Sequence, residues 1–137
     1  MERYALIAAR VLMSIMFLLD GLNVLSQSLA AHEMAAHGVP VSLVPMMILG
    51  AQALQLVASI GLIFGIYPRI SALALLLFLI PATLMAHAFV QVAGTPLYTV
   101  QLINFLKNVC MAGGLIFVAA TKAQPVRFPR PSPQIVG

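Results

Sequence analysis

Four apolar runs, each a little over twenty residues long, take up most of this chain of 137 residues. An α-helix rises about 1.5 Å per residue, so roughly 20 apolar residues cross the hydrocarbon layer of a bilayer. The runs cover about 4–25, 43–66, 70–92 and 101–120. They predict an all-α integral membrane protein, an antiparallel four-helix bundle over residues 1–120. Residues 121–137 follow as a basic, proline-rich tail with little to bury.

Composition closes off the alternatives. The chain is 62% hydrophobic and only 7% charged, with a mean hydropathy of +1.06. A soluble domain of this length needs far more charge to cover its surface. The net charge of +4 is modest, and no aromatic-interleaved basic patch exists, so nucleic acid is not an expected partner. The partner that the composition implies is the lipid bilayer. Cys110 is the only cysteine, which rules out an internal disulfide or a CxxC pair and suits a small buried core residue. Arg10, the apolar run after it and "SLA" at 28–30 mimic a secretory signal, but Asp20 interrupts that run, and the segment reads as a span.

Punctuation separates the spans. "YPR" at 67–69 is a tight turn because Pro68 cannot continue the preceding helix, and "AGTPLY" at 93–98 carries turn residues. Between spans one and two, "SQSLAAHEMAAHGVP" has an Ala-rich middle and a stop at Gly38 and Pro40, predicting a short interfacial helix. Arg3, Arg69, Lys122, Arg127 and Arg130 fall on the side shared by both termini, so both termini are expected in the cytoplasm.

Polar residues inside the spans mark the candidate site. At 1.5 Å per residue, Asp20 lies roughly 8 Å below the outer end of span one and Lys107 roughly 9 Å below that of span four. His87, Asn23, Asn104 and Asn108 fall in the same layer, with Gln52 slightly deeper. Asn104, Lys107, Asn108 and Met111 follow helical spacing, as do Gln52, Gln55 and Ser59, and Thr83 and His87 are one turn apart. A lipid-facing charge costs about 2.5–3.5 kcal/mol, so these stripes are expected to face inward, with Asp20 paired to Lys107. Two readings stay open: a polar layer that only fixes helix register, or a cavity for a polar head such as a quinone ring.

Further features carry less. Pro81 predicts a kink in span three that could form a cavity wall. "GLIFG" at 61–65 is a GxxxG motif, read here as packing within the bundle. Arg10 is expected to snorkel to the inner interface, or else to bond Gln55. "HEMAAH" has one residue too many for the zinc-protease HExxH, so Glu33 and His37, one turn apart, read as residues in interfacial water, and no metal is expected. Haem is not expected either, since His87 is the only histidine within a span.

"RVLMSIMFLLDGLNVL" in span one, "AHEMAAHGVP" in the outer loop and "GLIFGIYPRISALAL" across the turn together resemble the DoxX/DoxD-like family of small four-helix membrane proteins. "AHAF" and "INFLKNVCMAGGLIF" extend the resemblance to about Ala120. It implies a multi-pass protein of the bacterial inner membrane, a subunit of a respiratory or quinone-linked oxidoreductase complex. Such a subunit carries no covalently bound cofactor, is not catalytic alone, and works with other membrane subunits. Other relatives act in assembly, so a non-catalytic accessory subunit is the alternative. A small transporter is disfavoured because no inverted repeat or broken-helix pair is visible. Family members often carry a glutamate in span two where this chain has Gln55, which weakens a proton-relay role there.

Overall fold

A computed structural model describes residues 2–24, 28–87 and 89–121. The tail from residue 122 on lies outside the described residues, with Lys122, Arg127 and Arg130, as does the side chain of Arg3. The expectations of an extended tail and of its charge asymmetry fall there.

The described residues form five α-helices: α1 (Glu2–Gly21), α2 (Ser28–Ala36), α3 (Val44–Phe64), α4 (Pro68–Ala86) and α5 (Tyr98–Ala120), with a 3-10 turn at Phe89–Val92. α1, α3, α4 and α5 are long and apolar enough to span a membrane, making this a multi-pass membrane protein. The short helix expected between the first two spans is α2.

Local sequence explains the breaks. α3 stops at Gly65, whose φ of +70° is the left-handed conformation that glycine adopts without penalty. Tyr67 follows with φ +46°, and Pro68 opens α4, where its missing N–H is no loss. α4 ends at Ala86, short of the expected 92. The chain then turns so that the Phe89 ring packs edge-on against Tyr98 and Phe105, at 6.0 and 5.1 Å between centroids. α5 begins at Tyr98, nearly a turn earlier than the expected 101.

The four long helices form a ring in the order α1, α3, α4, α5, and the α1–α5 seam is the thinnest. The core holds Phe17, Ala58, Leu62, Ala72, Leu75, Leu79, Leu115 and Val118. Most large apolar side chains point outward instead, among them Leu49, Val57, Leu77 and Ile116, as suits a lipid-facing surface. Gly21 lets α1 approach the α3 backbone. A Cβ there would lie 2.9 Å from Leu56 N and 3.0 Å from Gln52 O. Gly61 faces Ser71 of α4, which puts the GxxxG motif inside the bundle. At the end where α3 turns into α4, Arg69 Nε donates to Thr121 O at 3.0 Å and ties α4 to the end of α5.

α4 runs through Pro81 without interruption. Its ring stands on the exposed face and lines neither of the two cavities described below, so the expected link between Pro81 and a cavity wall does not hold.

Candidate functional site

The buried stripe of α1 consists of Arg10, Ser14 and Phe17, at i, i+4 and i+7, and that of α3 of Gln55, Ala58, Ser59 and Leu62. Polar groups therefore lie deep in the bundle. Ser14 and Ser59 are fully buried, Gln55 is 2% exposed and Arg10 5%. Ser14 Oγ donates to the Arg10 carbonyl at 2.7 Å. Ser59 Oγ, wholly enclosed, has no hydrogen-bond partner. Arg10 was expected to snorkel to the inner interface or to bond Gln55, and no hydrogen bond between Arg10 and Gln55 is present. It is instead buried, on the stripe of α1 that it shares with Ser14 and Phe17.

Above Ser59, toward α2, the stripe of α3 opens into a cavity of about 100 Å³. α2 roofs it with Ala30, Glu33 and Met34, α1 contributes Asp20, and α3 contributes Ile48, Ala51 and Gln55. Phe78, Ala82, Met85 and Ala86 of α4 close the far wall. Among the described residues, side-chain polarity in the wall comes from three: the carboxylates of Asp20 and Glu33 and the amide of Gln55. Gln55 makes no side-chain hydrogen bond to another described residue, and it borders the cavity. Beside the cavity, Gln52 Nε2 donates to Asn23 Oδ1 at 3.2 Å, joining α3 to the turn just after α1. Asn23 is held in the left-handed conformation, φ +58°, which asparagine tolerates better than most residues.

The remaining polar residues gather on the α4–α5 seam. Asn108 Nδ2 donates to Thr83 Oγ1 at 3.0 Å, and Thr83 Oγ1 donates on to the Leu79 carbonyl at 2.7 Å. One helical turn toward the α2 end, His87 Nδ1 donates to Gln101 Oε1 at 2.9 Å. Lys107 Nζ donates to Asn104 Oδ1 at 3.3 Å, within α5. Asn104, Asn108 and Met111 are half-buried, but Lys107 stands at the edge of that stripe and is exposed. A second cavity of about 150 Å³ lies on this seam, with Thr83 and Asn108 among apolar residues such as Leu79, Phe105 and Ala112. Thr83 and Asn108 satisfy one another, which leaves this cavity apolar in character.

The layer read from helix depth thus divides in two. Asp20, Gln52, Asn23 and Gln55 lie at or beside the cavity under α2. His87, Asn104, Lys107 and Asn108 lie on the seam with α5 and do not line that cavity. The structure sets the acid and the ammonium on different features of the bundle. Sequence reasoning ranked Gln55 as secondary and gave Glu33 no ligand role, although both belong to the cavity wall. The signal that could have found Glu33 is its place on the inward side of a short helix one turn from His37, whose Nδ1 donates to the Glu33 carbonyl at 2.9 Å.

A family model described as DoxX matches residues 5–88. This range takes in nearly all of α1, the whole of α2 to α4 and every residue of the cavity wall, and it stops short of α5. Comparison with curated proteins and with solved structures gives no match. The match covers more than half of the 137 residues, and with four spans in the expected order the chain belongs to the DoxX family.

Proposed function

We propose that this protein is a membrane subunit of a quinone-linked oxidoreductase complex of the bacterial inner membrane, and that the cavity under α2 receives the polar head of a quinone-like ligand. The observation that carries the proposal is Gln55. Its amide borders an apolar cavity without a side-chain bond to another described residue, so a polar ligand head entering there can bond to it. Ligand pockets share this design, apolar walls with a few polar groups that fix orientation. Asp20 and Glu33 give the cavity two further groups able to hold a head group in place.

The test is native mass spectrometry of the gently solubilised protein, with lipid extraction for quinone. The proposal requires co-purified quinone that is lost in Gln55→Leu, with the fold retained. Binding that instead falls only on changing His87 or Lys107 would move the site to the α4–α5 seam. One observation favours the second reading, an accessory or assembly subunit. α5 buries only Leu115 and Val118 among the described residues and leaves Lys107 exposed at membrane depth, a face that a partner helix would cover. Stoichiometric large partners without extracted quinone would favour that reading.

A further inference from the structure

We infer that the cavity under α2 admits a single six-membered ring and excludes a head group with a second ring fused to it, and that Phe78 sets this limit. This rests on reading the cavity as the site of a quinone-type head. Volume is the first observation. An apolar cavity of about 150 Å³ takes one benzene molecule. The space under α2 is smaller, about 100 Å³, so one ring fits once flexible side chains adjust, and a fused second ring has no room.

The wall itself resists widening. Ala30, Ala51, Ala82 and Ala86 line it on α2, α3 and α4, and an alanine methyl has no rotamer through which to yield. Phe78 is braced by a second ring. It meets Phe17 edge-on, with centroids 6.5 Å apart and planes at 78°, and Phe17 is itself 4% exposed within the core. A shift of Phe78 would disturb that packing, which interiors of crystal-like density oppose. Met34 and Met85 are the adjustable members: their unbranched thioethers reshape round a ring that enters, but they keep their bulk wherever they turn. A flat head also suits Phe78, since rings gain from stacked or edge-on contact, and its ring oxygen is left to the Gln55 amide in the same wall.

The test uses the full chain in nanodiscs, titrated calorimetrically with a decyl-substituted benzoquinone and with a naphthoquinone carrying the same chain, empty nanodiscs serving as blank. The benzoquinone should bind at least about tenfold tighter, the penalty for overpacking a closed wall. Phe78→Ala vacates the space of a phenyl ring and should bring the two affinities to within about threefold of each other. Where Phe78→Ala fails to fold, Phe78→Leu decides, because it removes less bulk, and its ratio should fall as well. A native ratio short of tenfold, or one unchanged in the deciding Phe78 variant, overturns the inference and leaves the quinone site standing. Binding of neither ring system above the blank overturns both.

Discussion

Gly21→Ala tests the seam that builds the cavity. The added Cβ would lie 2.9 Å from Leu56 N, 3.0 Å from Gln52 O and 3.2 Å from Leu56 Cα, all of them backbone atoms that no rotamer change can move. Comfortable carbon contacts need about 3.5–4.0 Å, so α1 must back away from α3 by roughly half an ångström to one ångström. Overpacking of this kind costs about 1–3 kcal/mol. Alanine returns up to about 1 kcal/mol through its better helix propensity. The net expectation is a loss of about 1–2 kcal/mol. Gly50→Ala and Gly113→Ala are the controls, because a Cβ at either position meets nothing within 4 Å, and both should be neutral or stabilising. The assay is unfolding in mixed micelles with rising SDS, followed by far-UV circular dichroism. Since Asp20 is adjacent and Asn23 bonds Gln52, the displaced α1 should also weaken ligand binding. If Gly21→Ala matches Gly50→Ala within about 0.5 kcal/mol, the close approach of α1 and α3 is wrong.

Three further outcomes follow from the same contacts. Ser59→Ala removes an enclosed hydroxyl without a partner and should stabilise the protein by about 1 kcal/mol in the same unfolding assay, while a loss would reveal a bound water at that hydroxyl. A double-mutant cycle of Thr83→Val with Asn108→Leu should return a coupling of about 0.6 kcal/mol and at most about 1.7, the range for hydrogen bonds between membrane helices, and zero coupling would dissolve the α4–α5 bond. In a Cys110→Ala background, Val41→Cys should react with an impermeant thiol reagent added outside intact cells and Tyr67→Cys should not. The reverse pattern would invert the expected cytoplasmic placement of both termini.

Spans were legible because their signal is long and one-dimensional. Apolar length fixed four helices, Pro68 fixed the turn, and Gly38, at φ +83°, fixed the stop after α2. What depth along a helix cannot show is azimuth. Asp20 and Lys107 were matched in height, yet which neighbour each faces depends on how α1, α3 and α5 are rotated, and that is a tertiary property. Lys107 shows the consequence. It sits three residues from Asn104 and seven from Gly114, near enough to the inward stripe to be counted in it, yet its long chain reaches outward and donates to Asn104 one turn nearer the α2 end. Arg10 errs in the opposite direction: its distance from the helix end suggested snorkelling, but i, i+4, i+7 spacing with Ser14 and Phe17 puts it on the buried face. The end of α4 was missed because the ring contacts of Phe89 with Tyr98 and Phe105 join residues that only folding brings together.

The energetics of a membrane core distinguish the buried amide and hydroxyl on α3 from the polar residues of the α4–α5 seam. In lipid, apolar side chains gain little by leaving one hydrocarbon environment for another, so packing rather than hydrophobic transfer holds the bundle together. Leu62 and Leu75 pack in this way within the core. A leucine at Gln55 would pack as well and leave nothing unsatisfied. Thr83, Asn108, His87 and Gln101 have each found a partner, so their polarity is already accounted for by the fold. Among the described residues Ser59 Oγ is enclosed without a partner, an unmet bond costing about 1–3 kcal/mol, and the Gln55 amide borders the cavity without a side-chain bond to the protein. Such a cost is recovered only when something polar enters the bundle. The wall of the cavity under α2 is where Gln55 can meet it, which makes that cavity, rather than the α4–α5 seam, the place where a ligand would stabilise this fold.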